Sequence, residues 1–302
     1  MRIQSNGLNI EVEEHGPKDG EPLLLIMGLG MQLIGWPDHF VELLADAGYR
    51  VIRFDNRDIG LSDKFEHWGR ADLARAALRY TFRMKIEAPY LLTDMAQDAL
   101  GVLDAMGIER CHIVGASMGG MISQIIAAQH PQRVRTLSLI MTTAGARRLP
   151  GPTVKARRAL LSSPRDPRDM ASVIEHSQRV FKVIESPAYP TPDEALRARL
   201  ERSLGRSYYP QGIGRQLLAV VASGDRTPLL SRIQAPTLVI HGRADTLVPV
   251  ANGIDLAKRI PGARLELIDG MNHDLPDALL PRLSGLIATH AAQSQTQGAA
   301  AA

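Results

Sequence analysis

The tightest constraint on this chain lies at residues 111–119. A short, largely apolar run at 111–114 meets Gly115-Ala116-Ser117-Met118-Gly119, and an amphipathic segment follows to about His130. A strand, a sharp turn and a helix must therefore fit within a few residues. The two glycines leave room for the reversal and for close packing of the helix on the strand. Ser117, between them, is expected to sit in a strained conformation with its hydroxyl projecting from the turn. A bystander serine in a Gly-rich connection has the same composition; its place at a strand–helix junction is what favours a nucleophile.

The rest of the chain alternates as such a turn requires. Residues 8–14 switch between apolar and charged and read as a half-exposed edge strand. Residues 22–27, 49–54, 134–141, 236–241 and 265–268 read as further, mostly apolar strands, as in a sheet covered on both faces. Residues 40–48, 93–106, 250–259 and 276–290 have helical spacing, with Thr93 as an N-cap and Gly48 and Gly107 as stops. Alternation of this kind predicts an α/β fold, a mostly parallel sheet flanked by helices.

Residues 145–232 break the rhythm: they contain helix starts and no convincing strand. Asp166-Pro167-Arg168-Asp169 opens one helix, and Thr191-Pro192-Asp193-Glu194 reads as a capping box. Leu196, Leu200 and Leu204 then mark one helical face. The expected organisation is a core of residues 1–144 and 233–290, an inserted helical cap at 145–232, and a disordered Ala/Gln/Ser tail at 291–302. Charge is divided unevenly. Residues 147–230 hold 15 Lys/Arg against 8 Asp/Glu, a net +7, whereas the whole chain carries +3 and the remainder therefore −4. Solvated arginines account for this, and so does a rim that attracts anions.

The single cysteine, Cys111, excludes an intramolecular disulfide and a thiolate metal cluster, and no cofactor or metal is called for. Aromatics at 4%, without basic–aromatic interleaving, exclude the usual nucleic-acid surfaces. No apolar run approaches the roughly 20 residues of a membrane span, and the first residues lack the apolar centre of a signal peptide. A cytoplasmic location is the default expectation.

A serine hydroxyl needs a base in contact, itself oriented by a third group. His15, His39 and His67 precede the serine, outside the chain order expected of a base. His112 and His241 belong to strands, His130 ends a helix, His176 lies in the cap and His290 near the tail. His273, in Asp269-Gly270-Met271-Asn272-His273-Asp274, follows the last strand at the sheet's carboxyl edge and is the expected base. Asp245 follows the preceding strand through Gly242-Arg243-Ala244 and is the expected acid. Asp269 is too near His273 in sequence, Asp225 reads as a helix-end turn, and Asp55 follows a strand distant in sequence. Oxyanion donors are expected at the N–H of Met118, after the nucleophile, and at that of Leu29, in the loop after the 22–27 strand.

Asp55-Asn56-Arg57-Asp58-Ile59-Gly60-Leu61-Ser62, Gly115–Gly120, His241-Gly242-Arg243-Ala244-Asp245 and Gly270–His273 together resemble the α/β-hydrolase superfamily over roughly residues 8–290. Met27-Gly28-Leu29, Gly35-Trp36-Pro37-Asp38, Val51-Ile52-Arg53 and the stretch Gly270–Pro276 resemble its aclacinomycin methylesterase group, which cleaves carboxyl methyl esters on polyketides. The resemblance implies Ser117, Asp245 and His273 as a triad, with Leu29 and Met118 as the oxyanion hole. Many relatives have His-Gly where this chain has Met27-Gly28. The cap matches only in size and helical character.

The leading expectation is a cofactor-free serine hydrolase acting on a small-molecule carboxylic ester. The same site suits perhydrolysis, lactone opening or carbon–carbon hydrolysis. Halide displacement and epoxide opening on this fold use a carboxylate nucleophile, so Ser117 argues against them. A ligand receptor retaining a vestigial triad is the non-enzymatic alternative.

Overall fold

The computed structural model describes residues 1–299, with side chains through Gln293. In chain order it runs β1 (Arg2–Ser5), β2 (Leu8–His15), β3 (Glu21–Ile26), α1 (Asp38–Asp46), β4 (Tyr49–Phe54), α2 (Leu73–Thr81), α3 (Leu92–Ala105), β5 (Cys111–Ala116), α4 (Met118–Gln129) and β6 (Val134–Ile140). Five helices follow: α5 (Val154–Leu160), α6 (Met170–Ile184), α7 (Asp193–Arg206), α8 (Pro210–Ser223) and α9 (Thr227–Leu230). The chain then returns to β7 (Thr237–Gly242), α10 (Ala251–Arg259), β8 (Arg264–Ile268) and α11 (Leu280–Ala299). One eight-stranded sheet has the order β1-β2-β4-β3-β5-β6-β7-β8. β2 pairs antiparallel with β1 and β4; every other pair is parallel.

Side-chain alternation divides the core between the two faces of this sheet. Leu24, Ile26, Ile113 and Val239 point to one face and pack with α3, α4 and α10. Leu23, Leu25, Val114 and Ile240 point to the other, against α1 and α11. Helices on both faces explain why these strands read as unbroken apolar runs.

Four expectations need correction. Residues 8–14 do not form an edge, because β1 pairs outside them. The hairpin turn is Asn6-Gly7, both at positive φ (50° and 77°), which suits a two-residue type I′ connection. Helix α3 is capped at Leu91, whose N–H donates to the Asp94 carboxylate at 2.6 Å, so Thr93 lies inside the helix. The Thr191 capping box is absent: α7 starts after Pro192 with no side-chain cap, and the Thr191 N–H is engaged by Glu185. Finally, α11 runs past residue 290, so the start of the expected tail, residues 291–293, is helical. Ala291 is buried and Gln293 accepts a bond from Arg264; an Ala/Gln composition propagates readily from a helix already docked. Residues 300–302 of the expected tail lie outside the described residues.

The uneven charge has a structural explanation. Cap arginines meet core aspartates across the junction: Arg148–Asp255, Arg199–Asp277, Arg202–Asp38, Arg206–Asp55 and Arg215–Asp58. Those on the surface contribute little individually. Arg215–Asp58 is different, because both side chains are excluded from water. Arg215 grips both carboxylate oxygens, at 2.7 and 2.8 Å, and Tyr90 and the Phe65 N–H complete the aspartate's partners. Asp58 is itself held at φ 72°. Removing the cation strands a buried carboxylate, so Arg215→Ala is expected to cost about 3–5 kcal/mol of stability. Denaturant unfolding checks this; a loss under about 1 kcal/mol would show that the pair does not anchor the cap.

Candidate active site

The turn after β5 is built by contacts that exclude side chains. A Cβ at Gly119 would lie 1.9 Å from the Ile26 carbonyl oxygen, and one at Gly115 would lie 2.3 Å from Ser123 Oγ. Glycine at both positions therefore lets α4 come down on the ends of β3 and β5. Ser117 between them takes φ 53°, ψ −118°, a conformation costly for a residue with a Cβ. Flanking bonds hold it there: its N–H donates to Ile140 O at 3.0 Å, and Thr142 Oγ1 donates to its carbonyl at 2.6 Å.

His273 reaches this serine from the loop after β8. Its Nε2 lies 3.0 Å from Ser117 Oγ and its Nδ1 lies 2.8 Å from Asp245 Oδ2. The Nδ1–H tautomer satisfies both contacts, donating to the carboxylate and leaving Nε2 to accept from the hydroxyl. Asp245 stands on the loop after β7. Its other oxygen accepts the N–H groups of Leu247 and Val248 at 2.9 and 2.7 Å. The two loops are tied together, since Ala244 N–H donates to Met271 O and Thr246 N–H to Asn272 Oδ1. Cap residues tie the base loop from above: the His273 N–H donates to Ile184 O, the Asn272 N–H to Ser186 Oγ, and Ser186 Oγ in turn to Asp274.

The other aspartates weighed as acids are engaged elsewhere. Asp225 accepts the Thr227 N–H in the turn before α9, Asp269 pairs with Arg243 on the surface, and Asp55 is buried among Leu33 N–H, Leu61 N–H and Arg206. His112 bonds Thr136 and Glu21, and His290 bonds Pro236 O.

Met118 follows Ser117 in the chain, and Leu29 follows Gly28. Met118 is the first residue of α4, so its N–H has no partner within the helix. In the loop after β3, the Gly30 N–H is taken by Gln216 Oε1 at 2.9 Å and the Met31 N–H by Gly28 O at 3.3 Å. The Leu29 N–H has no acceptor among the described residues. Gly28 lies directly against Ser117, where a glycine Cβ would stand 3.1 Å from the serine Cβ.

Sequence reading missed two sets of supports. His241, fully buried at the end of β7, bonds Val248 O at 2.7 Å and stands 3.4 Å from Asp245 Oδ2. Its i, i+4 spacing from the acid was the available signal. Asn56 and Gln216, which hold the Leu29 loop, had none, because their partners are backbone atoms far away in sequence. Among the described residues, no three His, Cys, Asp or Glu side chains are arranged to hold a metal, and no helix is long and apolar enough to cross a membrane.

A mostly parallel sheet whose β5–α4 turn presents a strained serine to a histidine on the loop after β8 and an aspartate on the loop after β7 defines a class of fold and site. The chain belongs to the alpha/beta hydrolase fold family, whose sequence model matches residues 21–277. It is 31% identical to rhodomycin D methylesterase DauP of Streptomyces sp. strain C5, over 95% of this chain and 96% of that protein. It is also 32% identical to a 2-hydroxy-6-oxononadienedioate/2-hydroxy-6-oxononatrienedioate hydrolase of Burkholderia vietnamiensis, over 90% of this chain and 88% of that protein. Among solved structures, a meta-cleavage product hydrolase from Pseudomonas fluorescens IP01 shares the fold with TM-score 0.75 at 20% identity, covering 97% of this chain and 98% of that one. The protein is thus a hydrolase whose relatives include methylesterases and carbon–carbon hydrolases.

Burial works to raise the Asp245 pKa, but the His273 charge and the bonds from His241, His273 and Val248 outweigh it and hold the carboxyl at about 2. An aspartate in an unfolded chain titrates near ~3.9. Because folding lowers this pKa, the stabilisation is complete above about pH 4 and is lost as pH falls towards 2. Stability measured across that window should fall more steeply in the wild type than in Asp245→Asn. Parallel curves would mean that the carboxylate's partners do not favour its charged form.

Proposed function

We propose that the protein is a serine carboxylic-ester hydrolase. Ser117 Oγ attacks the ester carbonyl while His273 Nε2 takes its proton, and Asp245 holds the imidazole and stabilises its cation. The tetrahedral oxyanion lies between the N–H groups of Leu29 and Met118, at the positive end of α4. Collapse expels the alcohol, which receives the proton from His273. Water, deprotonated by the same nitrogen, then attacks the acyl-enzyme, releasing the acid and restoring the serine. The observation that carries this reading is the unbroken relay from Ser117 Oγ through His273 to Asp245, with contacts of 3.0 and 2.8 Å.

A methyl ester is the substrate class we favour. Support comes from the methylesterase relatives, at 31% and 29% identity over 95% of this chain. Carbon–carbon hydrolysis is the second reading, supported by the 32% identity to an oxo-dienedioate hydrolase. Parallel assays on a methyl ester and on a 2-hydroxy-6-oxo dienoate separate the two readings. Turnover of the dienoate alone would replace the first with the second.

Ser117→Ala is expected to abolish ester turnover, a loss on the order of 10⁶-fold for a member of such a unit, with an unchanged circular dichroism spectrum. Labelling of the wild type by a fluorophosphonate, located at Ser117 by mass spectrometry, is the companion result. Comparable turnover in the purified variant would remove the serine from the mechanism. Asp245→Asn is expected to lower kcat by roughly 10⁴-fold by stabilising the wrong imidazole tautomer. Full activity there would exclude Asp245 as the orienting acid.

A further inference from the structure

The proposed chemistry needs the Leu29 N–H to face the oxyanion, and that residue sits in an irregular loop between β3 and α1. Several bonds tie the loop, those of Gln32 to α7 among them, and three bear on the stretch around Leu29. Asn56 Nδ2 donates to Met27 O at 3.0 Å, the Leu33 N–H donates to Asp55 Oδ1 at 2.7 Å, and the Gly30 N–H donates to Gln216 Oε1 at 2.9 Å. The first two ties come from the core loop after β4. The third comes from α8, in the cap, and it falls on the residue next to Leu29.

Resting on that reading of the reaction, the geometry points to Gln216 as a positioning residue that aims the Leu29 N–H. Its side chain is fully buried, and both ends of the amide are used: Oε1 accepts from Gly30 while Nε2 donates to Arg57 O at 2.8 Å. The donor bond fixes the amide's orientation, so Oε1 rather than Nε2 faces Gly30. Ile213, one turn earlier on the same helix face, covers the same glycine; its Cγ atoms lie 3.2 Å from where a Gly30 Cβ would be. Gly30 takes φ 71°. Gln216 thus fixes the peptide plane between Leu29 and Gly30, which meets, at the Leu29 Cα, the plane that carries the Leu29 N–H. It also occupies the neighbouring Gly30 donor, leaving Leu29 to face the reacting carbonyl. Donor placement at the reacting centre therefore depends on a cap helix being seated.

The test compares Gln216→Met, which keeps length and apolar bulk, with Gln216→Glu, which keeps the acceptor for Gly30. For a methyl ester, Gln216→Met should lower kcat on the order of 100-fold, the scale of misplacing a group at the reacting centre by about 1 Å, with KM within about threefold of the wild type. A trifluoromethyl ketone, which adds Ser117 and develops the oxyanion, should bind more weakly by the same factor. The product carboxylic acid, which forms no tetrahedral adduct, should bind as before. Gln216→Glu should recover most of the lost kcat. If Gln216→Met melts too low to assay, Gln216→Asn, one methylene shorter, carries the same expectation. Unchanged kcat in a folded variant whose Ser117 still reacts with a fluorophosphonate overturns the role of Gln216 alone. Equal weakening of the ketone and the product acid also overturns it, since the residue would then support the pocket and not the donor. A wild type that the fluorophosphonate does not label at Ser117 removes the serine-hydrolase reading, and this inference with it.

Discussion

The reacting centre depends on how closely one helix can approach one sheet. Gly119 rests against the Ile26 carbonyl with no room for a Cβ, so the N-terminus of α4 comes down on the C-terminal end of β3. That approach sets the Met118 N–H, the first of its helix, beside a loop that begins about ninety residues earlier in the chain. It also points the positive end of the helix at the site where negative charge would develop. The distorted Ser117 backbone follows from the same packing, and its two flanking hydrogen bonds and the glycines around it hold a conformation that serine does not favour.

Around this turn, rigidity comes from backbone groups as much as from side chains. The Asp245 loop bonds the His273 loop through Ala244 and Thr246, and the end of α6 with the residues after it bonds the His273 loop through Ile184, Glu185 and Ser186. Gln216 bonds the loop after β3. The helices between β6 and β7 therefore belong to the frame of the site. His241 adds a buried imidazole beside Asp245, so the carboxylate faces two histidines and two N–H groups and stays ionised despite its burial.

Most of the sheet was legible because each inner strand is buried on both faces and flanked by turn residues. Residues 49–54 match β4 to the residue, and 134–141 overrun β6 by one. The grouping of Ser117, His273 and Asp245 was legible for a related reason: each follows a strand end, and chain order narrowed the choice of partners. What escaped depended on tertiary contacts. β1 is four residues long, with one buried residue, and shows no pattern until its Asn6-Gly7 turn is noticed. Helix α2 is the exception: it buries only Ala76, yet Leu73, Ala76, Ala77 and Tyr80 follow helical spacing behind an Asp72 cap, a local signal that was passed over. The Leu91 cap and the missing Thr191 cap show local preference overruled by how the chain enters a packed helix. Gln216 and Asn56 stayed invisible because a glutamine or asparagine that serves a distant backbone atom leaves no periodicity behind.

The five arginine–aspartate contacts between cap and core also bear on how such a protein could be recombined. Inserted domains are commonly treated as exchangeable modules, chosen for the pocket they bring. Here each part is the other's counter-ion: the insertion alone is strongly basic and the scaffold alone is acidic. A chimera carrying this insertion on a foreign scaffold would inherit a surplus of guanidinium groups, one of them buried without its carboxylate. Compatibility of the two halves is therefore decided at the seam, by matched charge, before any substrate is considered.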